Sequence, residues 1–265
     1  MSGGVPSRRV PLAPRHLRRL SFSRADRYLR CPESYRLWYV ERLRPRRRPA
    51  NLVFGQTVHG ALAGLFRDGA DPVTVFAEGW AAARELDLSY SSRDSWERLQ
   101  ETGERLLELF VAEERAKVGT MFAVERPFRL EVTSLGVPFV GVVDLFAEFD
   151  GVPTVIDFKT AASRYGAHEA IMSDQLTAYH LAEPTAAQSG LCVLVKTKTP
   201  HIGWQTTTRT PRQLRDYLQK LDLVTHDIAA HRFYKRPGPW CAWCDFLPVC
   251  SGDQKQAEET LVRVE

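Results

Sequence analysis

Apolar residues change their spacing twice along this chain, and the changes divide it into blocks. Ser21 or Ser23 can cap a helix carrying Tyr28, Leu29, Tyr35, Leu37 and Trp38, which Pro32 divides. Phe54, Val58, Ala61, Leu62, Leu65 and Phe66 recur at helical intervals, so 53–66 is predicted to be amphipathic, with His59 inside it. Two more helices are predicted over 73–86 and 96–116, separated by a Ser-rich break. Near Phe122 the period shortens to two: Phe122, Val124, Phe128, Leu130 and Val132 mark a strand. Strands over 137–149 and 152–158 follow, joined by the turn pair Asp150-Gly151. A helix over 167–181, an apolar strand over 191–195 and a more polar strand over 202–208 come next. Thr210-Pro211 with Gln213 is a capping-box start for a helix over 212–231. The order is helices, a small mixed sheet, helices, then a cysteine-rich tail.

The 265 residues carry 36 Lys+Arg against 32 Asp+Glu, and 44% of them are hydrophobic, which excludes wholesale disorder and a minimal disulfide scaffold. No apolar run approaches the roughly 18 residues of a membrane-crossing helix, and no secretory signal is visible, so a cytoplasmic protein is expected. The excess charge permits nucleic-acid binding without establishing it. Locally, Arg36, Arg42, Arg44 and Arg46 to Arg48 form an exposed basic stretch, and Tyr35, Trp38 and Tyr39 beside it can stack on bases if exposed. The expected units are a peripheral segment 1–20, a helical region 21–50, a core 51–235 and a cap 236–265.

Alternation places Asp157 and Lys159 on one strand face with Phe158 on the other. If the chain reverses at Asp150-Gly151, Asp144 approaches Asp157 across the hairpin, and two hard oxygen ligands converge where magnesium or manganese binds well. Gln175 and Tyr179 share a helix face at i,i+4. Glu125, on the preceding strand, reads better as a solvent-facing residue and is left outside the principal site.

Cys241 and Cys244 form a C-x2-C pair, Cys250 follows, and Cys31 is the candidate fourth ligand; Cys192 lies in an apolar strand and reads as a buried thiol. Spacing alone leaves zinc and iron-sulfur comparable.

The segments Phe54-Gly55-Gln56-Thr57-Val58-His59, Gly141 to Asp144, Ile156-Asp157-Phe158-Lys159 and Gln175 to Tyr179 stand in the order found in the PD-(D/E)XK nuclease superfamily. More narrowly, they resemble its RecB-like and Cas4-like exonuclease group. The resemblance implies an α/β, restriction-endonuclease-like mixed sheet flanked by helices, with a helical N-terminal region and a C-terminal cysteine cap. It makes His59, Asp144, Asp157 and the Phe158 backbone carbonyl ligands of Mg2+ or Mn2+. Lys159 would position or activate water, and Gln175 and Tyr179 would line the site or contact the DNA backbone. It also implies a [4Fe-4S] cluster on Cys31, Cys241, Cys244 and Cys250, ahead of zinc. The function implied is cleavage of single-stranded or frayed DNA from an end. Left open are a partner-dependent DNA-binding subunit working with a helicase or in CRISPR adaptation, and a zinc-stabilised hydrolase of other phosphate esters.

Overall fold

The computed structural model describes residues 17–265. The segment expected to be peripheral ends earlier than Leu20: Leu17 and Leu20 are fully buried, and Leu20 exchanges backbone hydrogen bonds with Pro138 and Val140. The rest of that segment lies outside the described residues.

Ser21 caps α1 (Phe22–Arg30), accepting from the Arg24 N–H, and Pro32 divides the helix as its missing N–H requires. α2 (Pro32–Tyr35) runs on through a wide π-type turn to Val40. The arginine-rich stretch is not a plain connection. It forms β1 (Leu43–Pro45) and β2 (Arg48–Pro49), and leads into α3 (Ala50–Asp68), which carries His59. α4 (Pro72–Ala82), the short β3 (Leu88–Ser89) and α5 (Trp96–Leu109) complete the helical block.

The sheet follows, with β4 (Val118–Leu130), β5 (Phe139–Phe149) and β6 (Val152–Ala161) antiparallel in sequence. Asp150 and Gly151 both take positive φ (49° and 79°), the backbone of a tight hairpin turn. The predicted helix over 167–181 is two helices, α6 (Glu169–Met172) and α7 (Asp174–Ala182), because Ser173 breaks the run and caps the second. This crossover leads to β7 (Gln188–Val195), parallel to β6, and β8 (His201–Thr207) closes the sheet antiparallel to β7. The capping box at Thr210 forms as expected at the start of α8 (Pro211–Ala229). A turn over 239–243, α9 (Leu247–Ser251), α10 (Gln254–Thr260) and β9 (Leu261–Arg263) end the chain, with β9 pairing antiparallel with β1.

Helices cover both faces of this five-stranded sheet. Against one face pack Phe54, Phe66, Phe76, Trp80 and Phe110 from α3, α4 and the end of α5, meeting Ile156 and Phe158 of β6. Against the other lie Ala178 of α7 and Tyr217, Leu221 and Val224 of α8, with Tyr28 and Tyr35 beyond them. The alternation of β6 thus sends Phe158 into one core and Asp157 and Lys159 toward α7. Among the described residues, no helix is long and apolar enough to cross a membrane.

Candidate functional site

The β5–β6 ladder stops at the Leu145–Ile156 pair. Just beyond it the Phe158 N–H donates to Asp144 Oδ2 at 3.0 Å, so a carboxylate takes the donor that a strand would otherwise satisfy. Asp144 and Asp157 therefore flank the point where the strands part. From α3, His59 Nδ1 comes within 3.3 Å of Asp144 Oδ2.

α7 supplies the opposite wall. Gln175 Nε2 donates to Asp157 Oδ1 (2.8 Å) and to the Tyr179 hydroxyl (2.9 Å), while Gln175 Oε1 accepts from Lys159 Nζ (2.8 Å). Tyr179 in turn donates to Asp144 Oδ1 at 3.3 Å. Lys159 Nζ stands 2.7 Å from Asp157 Oδ2. Asp157 is wholly buried, whereas the Lys159 side chain keeps 30% of its surface in solvent, so the ammonium stands between the carboxylate and the open cleft.

Burial dominates the electrostatics. It pushes the Asp157 carboxyl up to about 6, against the pull of Lys159, and raises Asp144 above the ordinary carboxylate range, against the pull of His59. It also raises the Tyr179 phenol, which stays a hydrogen-bond donor. Asp157 Oδ2, although ion-paired, has no hydrogen bond of proper geometry. Two crowded carboxylates with raised proton affinity, one with an oxygen free of hydrogen bonds, suit a hard divalent cation.

Glu125 belongs with them, correcting its assignment to a solvent-facing position. His59, Glu125 and Asp144 each offer a ligand atom, all within 4.8 Å of one another. Val124 pairs with Leu145 and Arg126 with Val143, so the β4 register sets Glu125 opposite Asp144. Glu125 also takes a positive φ of 48°, rare for a non-glycine residue in a strand and a form of local strain that collects at functional sites. Its sequence signal was an acidic residue between Val124 and the Arg126-Pro127 pair, one strand before the hairpin; alternation alone could not aim it. The cleft beside these groups, about 670 Å3, is lined by Asn51, Gln56, His59, Arg67, Glu125 and Lys159 among others.

Of the aromatics that could stack on bases if exposed, Tyr35 and Trp38 are engaged within the fold. Tyr35 is fully buried and stacks on Phe233, while Trp38 lies between the guanidinium groups of Arg27 (4.1 Å) and Arg44 (3.9 Å). Arg36 is paired with Glu33 and Glu41. Packing among α1, α2 and the segment that follows α8 explains this aromatic cluster.

Cys31, Cys241, Cys244 and Cys250 line a single cavity of about 430 Å3, together with Arg27 and Trp240. Tyr28 donates to the Arg232 carbonyl (2.7 Å) and the Glu33 N–H to the Tyr234 carbonyl (3.0 Å), which holds the α1–α2 turn against the C-terminal segment. Cys192 is buried in the sheet core, apart from the other four.

No curated protein matches the chain. Among solved structures, one from Eubacterium rectale bearing the name "Putative exonuclease" covers 86% of this chain and 87% of its own, with 11% identity and a TM-score of 0.55, a likeness of fold alone. The structure of SSO0001 covers 78% of this chain and 86% of its own at 13% identity, with a TM-score of 0.37. The model of the PD-(D/E)XK nuclease superfamily matches residues 19–251, a span that includes every group of the cleft, and the chain belongs to that superfamily.

Proposed function

We propose that this protein is a metal-dependent deoxyribonuclease that hydrolyses single-stranded or frayed DNA from an end. The observation that carries the reading is the convergence of His59, Glu125 and Asp144, beside buried Asp157, onto the point where β5 and β6 part, with Lys159 lining the same cleft against Asp157.

His59, Glu125, Asp144, Asp157 and the Phe158 carbonyl would hold Mg2+ or Mn2+. When bound, such a cation polarises a phosphoryl oxygen and lowers the pKa of its water. Lys159, with one contact to Asp157 and another to Gln175, holds its ammonium where it can orient a water and offset charge developing on the phosphate. Gln175 fixes Asp157 and Lys159 relative to one another by bonding both. Tyr179 keeps its proton and steadies Asp144.

The helical region 21–50 would be joined to the cap 236–265, around the core 51–235, by a [4Fe-4S] cluster on Cys31 of the first and Cys241, Cys244 and Cys250 of the second. All four thiols open onto one cavity, which supports a group that they share. This cluster would hold the chain ends together without a redox task.

End-labelled linear and closed circular single-stranded DNA, incubated with anaerobically purified protein and Mn2+, test the end preference. Degradation of the linear form alone is expected. Equal nicking of the circle would replace the exonuclease reading with an endonuclease.

A further inference from the structure

α7 is the wall of the cleft that hydrophobic patterning does least to place, since Asp174, Gln175, Thr177, Tyr179 and His180 spread polar atoms around it. Polar clamps add to the packing of buried Leu176 and Ala178. Lys220 of α8 grips Asp174 with contacts of 2.7 and 2.8 Å, and Arg126 of β4 pairs with buried Glu183 just past its end.

The third clamp is Arg209, in the loop between β8 and α8, and it is buried. Its Nε donates to Thr177 Oγ1 (2.8 Å), and its Nη2 to the carbonyls of Ala170 (2.8 Å) and Ser173 (3.0 Å). Its Nη1 donates to Thr207 Oγ1 (3.2 Å) and to the Thr208 carbonyl (3.1 Å). One planar group thus ties the last turn of α6, the first turn of α7 and the end of β8 together. Two residues along a helix point about 200° apart. Thr177 therefore faces away from Gln175, and Arg209 grips the back of the helix whose front holds Asp157, Lys159 and Asp144.

We propose that Arg209 is a positioning residue for the cleft, acting through α7 to hold Gln175 and Tyr179 against the two aspartates and the lysine. The proposal rests on the nuclease reading above for its catalytic consequence. Its physical basis is the fork: a lysine keeps the charge but cannot span Thr177, Ala170 and Ser173 at once. A displacement of about 1 Å at a reacting group costs on the order of a hundredfold in rate.

The test compares wild type, Arg209→Lys, Gln175→Ala and the double variant on single-stranded DNA in saturating Mn2+. Arg209→Lys is expected to lower kcat by about tenfold or more with KM within about threefold, and to have a clearly smaller further effect once Gln175 is gone, the remainder acting through Tyr179. An unchanged kcat, or effects that multiply in the double variant, would overturn the proposal. If Arg209→Lys fails to fold, Thr177→Val removes the Nε acceptor, and with it the hydroxyl's own bond to the Ser173 carbonyl (2.9 Å), while keeping the other four Arg209 contacts; it is expected to show a smaller kcat loss of the same kind, and wild-type kcat would overturn the proposal. Wild type cleaving no better than Asp157→Ala would overturn the nuclease reading instead. The linkage is then read without turnover, by amide exchange over 174–182, which Arg209→Lys is expected to accelerate about tenfold or more. Exchange matching wild type would overturn it.

Discussion

Replacing Asp157 with Asn is expected to make the metal-free protein more stable while removing its activity. The carboxyl lies fully buried, and burial lifts its pKa from the ordinary 3.8 to about 6. A raised carboxyl pKa means that the folded protein retains a proton the unfolded chain has released. The resulting stabilisation is full below the unfolded value and is lost as pH rises through the folded one. At pH 8 the loss is about 3 kcal/mol at most. Asn carries no such penalty, and its side-chain oxygen can still accept from Gln175; its amide cannot pair with the Lys159 ammonium, which offsets part of the gain. The expected net is about 1–2 kcal/mol, or roughly 2–6 °C in Tm for a chain of this size. Urea and thermal unfolding in chelator at pH 8 measure it, and the same comparison near pH 4 should show the advantage gone. Saturating Mn2+ should reverse the order, because about 100 times Kd adds about 2.7 kcal/mol to the form that binds. A variant less stable than wild type in chelator at pH 8, or a gap indifferent to pH, would show that the buried carboxylate carries no such penalty.

Because protonated Asp157 competes with a cation, Mn2+ affinity measured by calorimetry should be steady near pH 8 and fall about tenfold per pH unit below 6; a flat profile to pH 5 would contradict the assignment. Cys31→Ala, which removes the thiol furthest in sequence from the others, should lose iron and sulfide together with its visible absorbance after anaerobic purification, and should loosen the contact between the chain ends; full iron content and unchanged DNA affinity would count against the cluster. Gly141→Ala should cost about 1–3 kcal/mol in urea unfolding, since an added Cβ would stand 2.5 Å from the Phe128 ring; an unchanged midpoint would show that the ring yields freely.

What could be read from the sequence was local. The Asp150-Gly151 turn and the alternation on either side of it bring Asp144 and Asp157 together, because two residues with positive φ at a hairpin set its register. Gln175 and Tyr179 needed only the helical repeat, and Thr210 with Gln213 only a capping pattern. What escaped depends on longer-range pairing. Glu125 enters the cleft through the β4–β5 register and a strained backbone, which no periodicity signals. The arginine-rich stretch looked like a free connection because its partner strand, β9, lies more than 200 residues away at the end of the chain. Trp38 looked available for bases because the arginines that cover it, Arg27 and Arg44, come from both sides of it in sequence. Ser173 was hidden inside an otherwise helical pattern, although capping serines begin helices more often than they sit within them.

On the proposed reading, Asp157 and Lys159 serve a metal-dependent cleavage of DNA. It is tested most directly by following labelled single-stranded DNA with wild type, Asp157→Ala and Lys159→Ala, each shown to be folded, in Mn2+, in Mg2+ and in chelator. Metal-dependent product is expected from wild type alone, with each variant reduced by at least about a hundredfold. Cleavage that persists in both variants, or in chelator, would contradict it.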